Sequence, residues 1–328
     1  MRLNCLYPIM KNTINRRTFL RIGGVTFFSL WGSSLLAKNH FSNMEPTNNG
    51  EYYRFKVGDF ECFCINDGGF NYKPEHFFKN VPKEQIEKVL EERNIPIDSI
   101  YTPYTHLIVK TEKQIVMVDM GAGKALPNNG KLPRRMKSAG IEPADIDTVI
   151  ITHAHPDHIG GTLDDEGKPI YANARYYIWK DEWDFWFSEV AYEKTNEFFV
   201  DVAREQLGPV KDRMIFVEKE SEIQSGINLI AAPGHTPGHM AVSFSSQSKQ
   251  LYYIGDTVLY PLHLEYPDWL PIYDVIPEQA EISKKKIFDL VADSEALVIG
   301  QHFVPFPSIG SVTRKENGWL WKPIDPKG

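Results

Sequence analysis

The sequence predicts an α/β sandwich. Two strands, Tyr52–Val57 and Phe60–Ile65, are separated by the turn residues Gly58-Asp59 and read as a hairpin. Strands and helices alternate behind this hairpin, which is typical of a mixed α/β architecture. The chain has 328 residues, a length that fits one large domain, and we place that domain at residues 51–328.

The later elements follow from local patterns of apolar and turn-forming residues. Pro82–Arg93 has helical spacing and a proline at its start. The other predicted helices are Lys131–Ala139, the aromatic-rich stretch 180–207 and Glu278–Ala292. The remaining predicted strands are short apolar runs: Thr105–Lys110, Gln114–Asp119, Thr148–Thr152, Arg175–Trp179, Met214–Val217, Leu229–Ala232, Ala241–Ser245, Leu251–Ile254 and Ala296–Ile299.

Residues 1–37 have the composition of an export signal. They begin with basic residues, contain no acidic residue, and continue into the apolar run Ile22–Ala37. The segment Asn15–Arg21 resembles a twin-arginine signal, and the alternatives are a plain Sec signal or an uncleaved N-terminal anchor. We therefore expect export, to the periplasm of a bacterium, and no membrane association once the signal is removed. The polar residues 38–50 read as a linker.

The charge of the chain bears on its partners. The predicted signal holds five of the 36 basic residues and none of the 43 acidic ones, so the remaining chain has a formal net charge of −12. Such an anionic surface repels phosphate backbones, which argues against nucleic acid as a partner. Cys62 and Cys64 lie two apart on one strand and face the same side, so we expect two buried free thiols.

The segment Thr152–Gly161 contains the strongest indication of chemistry. Three histidines and an aspartate lie within six residues, directly after a strand and before two glycines. His153 and His155 are two apart, so in an extended segment they face the same way and can hold one ion. Asp157 and His158 follow a proline turn and can face a second ion. Imidazole nitrogen and carboxylate oxygen are donors that zinc prefers.

His153–His158 resembles the His-X-His-X-Asp-His signature of the metallo-β-lactamase superfamily. Four further segments resemble the rest of that family's pattern in the same order: Val118–Gly121, Pro233–His239, Ile254–Asp256 and Gly300–His302. The resemblance covers nearly the whole chain after the signal. It implies the αββα sandwich of that family, in which two mixed β-sheets pack face to face with helices outside.

The resemblance also implies a role for each matched residue. The resemblance implies that a first ion is bound by His153, His155 and His235. It implies that a second ion is bound by Asp157, His158 and His302, and that Asp256 bridges both ions. Asp256 and Asp157 are expected to take part in catalysis. Asp119 is expected to support the ligands without binding metal.

This ligand set favours two Zn²⁺ ions per chain, because zinc accepts nitrogen and carboxylate donors. Mn²⁺, Fe²⁺ and Co²⁺ suit the same donors. Each ion would keep an open position, which distinguishes a catalytic site from a structural one. We therefore expect a dinuclear hydrolase in which the ions activate a shared water.

The substrate class follows from further resemblance. Asp256 argues against the true β-lactamases, which lack a bridging carboxylate. The segments His263–Trp269 and Gln301–Gly310 are similar to those of methyl parathion hydrolase and its relatives, and N-acyl-homoserine lactonases share the seven ligands. We expect a small ester-type substrate, namely a lactone, an aryl ester or a phosphotriester.

Aromatic residues are concentrated after the histidine motif and are candidates for an apolar substrate pocket. The residues expected to line it are Trp179, Trp183, Trp186 and Tyr266. The alternative is that these aromatics pack helices on a sheet or form the contact of a homodimer. Three further histidines are assigned hydrogen-bonding or packing roles, with His106 on a strand, His263 in a loop, and His239 beside the motif.

Three other functions remain open from the sequence. One is an exported metal-binding or sensing protein of the same fold without turnover. Another is a thioesterase similar to glyoxalase II. The third is a redox di-iron protein of this fold, and His155 argues against it because those relatives typically carry glutamate in the signature.

Overall fold

The protein is described here by a computed structural model that covers residues 47, 48 and 50–326. The predicted export signal, residues 1–37, lies outside the described residues, as does most of the predicted linker 38–50. Within that linker, Thr47–Asn48 forms a short strand, β1, that pairs with the next strand.

The first sheet has eight strands in sequence order, β1 to β8. The strands that follow β1 are β2 Tyr52–Val57, β3 Phe60–Tyr72, β4 Ile100–Lys110, β5 Ile115–Val118, β6 Thr148–Ile150, β7 Arg175–Trp179 and β8 Met214–Val217. Pairing is antiparallel as far as β5 and parallel from β5 to β8, so this sheet is mixed.

The second sheet has seven strands in the order β15-β14-β13-β12-β11-β10-β9. These strands are β9 Ser221–Gln224, β10 Ile227–Ala231, β11 Met240–Ser246, β12 Lys249–Tyr253, β13 Leu297–Ile299, β14 Ile309–Lys315 and β15 Gly318–Pro323. All neighbours are antiparallel except β12 and β13, which are parallel.

Helices occupy the connections between strands. The α-helices are α1 Pro74–Phe77, α2 Lys83–Glu92, α3 Leu132–Ser138, α4 Pro156–Ile159, α5 Lys180–Trp186, α6 Val190–Lys194, α7 Glu197–Leu207, α8 Leu262–Glu265 and α9 Pro277–Ser294. Two 3-10 helices span Pro143–Asp145 and Gly208–Arg213. Among the described residues, none of these helices combines the length and apolar character needed to cross a bilayer.

The two sheets pack face to face over one hydrophobic core. Leu107 of the first sheet and Val242 of the second are both fully buried in it. Alternation along β12 separates the two faces of that strand, because Leu251 and Tyr253 join the core between the sheets while Tyr252 packs in a cluster with α9. Helix α3 packs against β3 on the first sheet. The predicted αββα sandwich is therefore confirmed.

Cys62 and Cys64 lie in the core between the sheets as two free thiols, as expected. Burial raises the pKa of both thiols, so they stay protonated and unreactive at neutral pH. Their side chains act as small apolar groups of the core.

Several elements differ from their predicted limits. Strand β3 continues past Ile65 to Tyr72, because the ladder with β4 skips Asp67 by a shift of register and then resumes with both Gly68 and Gly69 paired. The single helical stretch 180–207 is three helices, and the Asn196 side chain begins the last of them by accepting from the amide of Phe198. Strands β1, β9, β14 and β15 were not predicted.

Candidate metal centre

The candidate ligands lie at one edge of the sandwich. In both sheets a parallel pair, β5 with β6 and β12 with β13, brings its carboxyl ends together. The segments that follow these four strands carry Asp119, the histidine motif, Asp256 and His302. Side chains that follow parallel strands meet at the same edge, which is where α/β proteins commonly place their sites. His235 joins them from the loop between β10 and β11.

A first group of four buried side chains is formed by His153, His155, His235 and Asp256. The Nδ1 atom of His155 lies 3.0 Å from Nε2 of His153 and 2.9 Å from Nε2 of His235. The Asp256 Oδ2 atom lies 3.4 Å from Nε2 of His235. Four donor atoms within 4.8 Å of one another form a pocket of the size that a single cation needs.

The protonation of the first group suits a metal. Burial lowers the pKa of His153 and of His155 well below the usual value, and the neighbouring histidines lower it further. Neutral imidazoles keep a lone pair on the ring nitrogen that faces the group, and metals bind that form. These two nitrogens converge with Nε2 of His235 on one point, where a cation satisfies all three at once.

A second group is formed by Asp157, His158, His302 and, again, Asp256. Nε2 of His302 lies 3.3 Å from Oδ2 of Asp157 and 3.3 Å from Oδ2 of Asp256. Nε2 of His158 lies 3.4 Å from Oδ1 of Asp256. Asp256 is thus shared by both groups.

Carboxylates dominate the electrostatics of the second group. Burial alone would lower the pKa of His302, but Asp256 and Asp157 overcome this effect and raise it to about 9. Burial alone would raise the pKa of Asp157, but His158 and His302 lower it to about 2. Positive charge is therefore strongly favoured between these side chains, and a bound divalent cation would supply it in place of protons.

Buried polar atoms without a hydrogen-bond partner support the same interpretation. Within the described residues, Nε2 of His158 and Oδ1 of Asp256 are buried and make no hydrogen bond. Unpartnered buried polar atoms are costly, so a cluster of them that faces one point indicates a missing ligand. The residues present therefore fit two metal ions.

Asp119 lies beneath the second group and not within either one. Its backbone φ is 58°, a left-handed conformation that directs the carboxylate toward the histidine motif. Oδ2 accepts from Nδ1 of His158 at 2.7 Å and from the Thr152 hydroxyl at 2.8 Å. Oδ1 accepts from the Thr152 amide at 2.8 Å. Asp119 thereby fixes the ring of His158 so that Nε2 faces the carboxylates.

His239 is held as a structural histidine. Its Nδ1 lies 3.1 Å from the carbonyl oxygen of Ala232, and its Nε2 accepts from the amide of Asp256 at 2.9 Å. Both ring nitrogens are therefore engaged, which fits the hydrogen-bonding role expected for this residue. Through that amide His239 positions the backbone of Asp256.

Two supporting residues were missed from the sequence. Asp274 Oδ1 lies 2.9 Å from Nδ1 of His235, so the carboxylate leaves Nε2 to face the first group. Gln301 donates to Asp157 Oδ2 at 3.3 Å and accepts from the Tyr253 hydroxyl at 2.9 Å. Gln301 could have been suspected as the neighbour of His302, but nothing in the sequence around Asp274 indicates its role.

Trp186, one of the four residues expected to line the pocket, makes a ring contact with a candidate ligand. The Trp186 ring lies 5.5 Å from that of His155 and is fully buried. Trp179 lies in the core between the sheets, Trp183 stacks on Phe187, and Tyr266 stacks on Trp269. These three residues make packing contacts, and their expected role in lining the substrate pocket stays a prediction.

Other aromatic rings do adjoin the site. The Phe199 ring lies 4.9 Å from that of His155, and the Tyr104 ring lies 5.3 Å from that of His302. Apolar walls therefore flank both groups of candidate ligands.

Two further histidines from the sequence analysis, His106 and His263, belong to neither group of candidate ligands. His106 is fully buried on β4 as predicted, neither of its ring nitrogens has a hydrogen bond among the described residues, and burial lowers its pKa to about 3. His263 lies on the short helix α8 and not in a loop, and its Nε2 is 2.8 Å from the carbonyl oxygen of Phe77.

Comparison with known proteins places this geometry in a family. Residues 102–302 match the sequence model of the Metallo-beta-lactamase superfamily. The N-acyl homoserine lactonase AiiA of Bacillus thuringiensis subsp. kurstaki is 22% identical over 215 residues, which cover 60% of this chain and 79% of that protein. A probable metallo-hydrolase of Methanocaldococcus jannaschii is 31% identical over 121 residues, which cover 37% of this chain and 41% of that protein.

Two solved structures resemble the chain over most of its length. AidC, described as a dizinc quorum-quenching lactonase and solved with the product N-hexanoyl-L-homoserine, has a TM-score of 0.79 at 28% identity. That comparison covers 84% of this chain and 97% of AidC. The hydrolase AbOPH, of the beta lactamase superfamily, also has a TM-score of 0.79, at 26% identity, over 85% of this chain and 99% of its own.

Proposed function

We propose that this chain, which belongs to the metallo-β-lactamase superfamily, is a hydrolase that binds two metal ions and opens small lactones. The observation that carries the proposal is the position of Asp256, whose carboxylate takes part in both groups of buried donors. A carboxylate shared in this way can hold two cations at a fixed separation and offset part of their mutual repulsion.

The first ion would be held by His153, His155 and His235, and the second by Asp157, His158 and His302, with Asp256 on both. Zinc suits these nitrogen and carboxylate donors, and AidC is described as a dizinc enzyme. Mn²⁺, Fe²⁺ and Co²⁺ suit the same set. Bound ions of this kind supply Lewis acidity toward a carbonyl oxygen and lower the pKa of water.

The residues of the chain manage the proton of the reaction. Opening a lactone adds the hydroxyl of water to the carbonyl carbon and the proton of water to the ring oxygen. Asp256 is placed to carry that proton at a carboxylate oxygen, because it is buried among both groups of donors and its backbone is held by His239. Oδ2 of Asp157 lies 3.3 Å from Nε2 of His302, and Gln301 orients this carboxylate.

The walls of the site favour an apolar substrate. The rings of Trp186 and Phe199 adjoin His155, and the ring of Tyr104 adjoins His302. Apolar walls with a few polar groups are usual for small-molecule sites. Relatives described as lactonases support a lactone over an aryl ester or a phosphotriester.

A substrate panel with metal analysis tests the proposal. An N-acyl homoserine lactone, a nitrophenyl ester, a phosphotriester and a glutathione thioester are assayed beside measured metal content. We expect about two ions per chain, the highest kcat/KM with the lactone, and loss of activity on chelation that added Zn²⁺ restores. His235→Ala, which removes one donor of the first group, serves as the inactive control.

Two results would contradict this function. A protein that holds two ions and turns over none of the four substrates is the metal-binding or sensing protein that the sequence left open. A clear preference for the thioester would indicate an enzyme of the glyoxalase II type.

We further propose that the protein is exported. The proposal rests on the composition of residues 1–37, where a basic start precedes the apolar run Ile22–Ala37.

A further inference from the structure

Glu182 is a fully buried carboxylate on α5 that belongs to neither group of candidate ligands. Its Oε1 atom accepts from the amide of Ala154 at 2.9 Å and from the indole nitrogen of Trp186 at 2.6 Å. Its Oε2 atom accepts from the hydroxyl of Thr236 at 2.6 Å and from the amide of Gly238 at 2.9 Å. One side chain thus receives four hydrogen bonds.

Three of these four donors, from Ala154, Thr236 and Gly238, come from the segments that carry the first group, and the fourth is on α5 itself. Ala154 lies between His153 and His155, and Thr236 directly follows His235. The two segments follow strands of different sheets. His155 and His235 are 80 positions apart in the sequence, yet their ring nitrogens lie 2.9 Å from each other. Glu182 is bonded to both and therefore ties one to the other.

The four donors also determine which protonation state of the Glu182 carboxyl group satisfies the hydrogen bonds. Burial raises the pKa of Glu182, while its four hydrogen bonds oppose that rise. Three of the donors are N–H groups, from Ala154, Trp186 and Gly238, and they cannot accept a proton in return. The ionised carboxylate satisfies all of them, and hydrogen bonds to an ionised group are stronger than neutral ones.

Gly238 provides an independent sign that this contact is built into the fold. A Cβ atom at Gly238 would lie 2.2 Å from the backbone nitrogen of Glu182 and 2.6 Å from its Cβ. Only glycine allows the loop after His235 to approach α5 so closely. Trp186, one helical turn after Glu182, packs its ring against His155 from the same helix.

We propose that Glu182 is a positioning residue that sets the metal affinity of the first group by holding the His153–His155 segment against the His235 loop. The inference rests on the proposed function, because it requires that these three histidines bind metal. Residues that orient ligands without touching the metal change its affinity about 10- to 100-fold when they are replaced.

Glu182→Gln is the direct test. The amide group of glutamine presents N–H toward Gly238 on one side or toward Ala154 and Trp186 on the other, so at least one donor loses its acceptor in either orientation. Asp181→Asn is the matched control, since it removes one negative charge from the neighbouring, exposed position of the same helix.

The readout is Co²⁺ affinity, which does not depend on turnover. Metal-free proteins are titrated with Co²⁺ against a competing chelator, and the visible absorption of the bound ion reports its ligand geometry. His235→Ala and His302→Ala assign the two binding steps to the first and second groups. We expect Glu182→Gln to weaken the first step about 10- to 100-fold and alter its absorption band. The second step, and both steps of Asp181→Asn, should match the wild type.

Other outcomes overturn the inference in distinguishable ways. Wild-type affinity at both steps in Glu182→Gln, or an equal loss at both, refutes the positioning role and leaves the proposed function intact. A wild-type protein that binds no Co²⁺ refutes the proposed function, and this inference with it. If Glu182→Gln does not fold, Thr236→Val removes one donor only, and it must weaken the first step for the inference to stand.

Discussion

Replacing Asp256 by asparagine preserves the size of the side chain but exchanges one carboxylate oxygen for an NH₂ group. In the structure Oδ2 faces Nε2 of His235 at 3.4 Å and Nε2 of His302 at 3.3 Å. Oδ1 faces Nε2 of His158 at 3.4 Å. An amide keeps its oxygen on only one of these sides, so either His235 of the first group or His158 of the second faces NH₂ in place of a carboxylate oxygen.

The size of the effect follows from the two roles proposed for Asp256. Loss of a general acid–base group costs on the order of 10²–10⁴ in kcat. That range corresponds to about 3–5 kcal/mol of activation free energy. The loss of one negative charge from a buried site also weakens the metal bound on the side that the amide nitrogen faces. We therefore expect lower kcat and incomplete metal content together.

The assay compares leaving groups at saturating metal. A nitrophenolate leaves without protonation, whereas the alkoxide of an opened lactone requires a proton. Asp256→Asn should therefore lose more activity on an alkyl lactone than on a nitrophenyl ester. Equal losses on both substrates would remove the proton-carrying role and leave Asp256 as a bridge alone. Wild-type rates on both would refute the assignment of Asp256 to the site.

Three further predictions concern other parts of the molecule. Asp274→Ala removes the partner of Nδ1 of His235 and should lower metal affinity about 10- to 100-fold in a competition with a chelator. Unchanged affinity would refute the proposal that Asp274 orients His235. Glu265, bonded to Arg93 at 2.6 Å and 2.8 Å, has its pKa lowered from 4.5 to about 2 chiefly by that bond, so its stabilisation is complete above pH 5 and is lost as the pH falls toward 2. Because Arg93 is 40% exposed, Glu265→Gln should lower the free energy of unfolding of the metal-free protein in urea at pH 7 by only about 1–2 kcal/mol. If the variant and the wild type differed by the same amount near pH 2, the ionised Glu265 would not be the source of this stabilisation. Replacing Arg16 and Arg17 together by lysine should leave an uncleaved precursor in the cytoplasm, as fractionation and immunoblotting would show, and normal export would indicate the Sec route.

The part of the site that could be predicted from the sequence is the part that is local in the chain. The histidine motif follows a strand and contains Pro156 directly after His155, so the directions of His153 and His155 are determined by residues beside them. Glu182 and Asp274 could not be found in this way, because their partners lie 28 to 56 positions away and are brought close only by tertiary packing.

The fold shows the same division. Apolar runs marked most strands correctly, since burial between two sheets selects for them directly. Strand β15 was missed because exposed residues such as Leu320 alternate with buried ones such as Trp321 at the edge of the sheet, where the pattern is weak. Of the aromatic residues of α5, Trp186 adjoins His155 whereas Trp183 stacks on Phe187, and packing on neighbouring elements, not the spacing, decides this difference.

The position of the donors at the strand ends of both sheets affects how the two sheets of the chain are held together. The histidine motif belongs to the first sheet, whereas His235, Asp256 and His302 belong to the second, so each half of the sandwich contributes an incomplete set of donors. Bound ions would therefore link the two sheets. A cation present at 100 times its dissociation constant would add about 2.7 kcal/mol to the free energy of unfolding. The complete set of donors would then form only once the two sheets have packed together. Removal of the metal by a chelator would weaken the contact between the sheets before it affects either sheet alone.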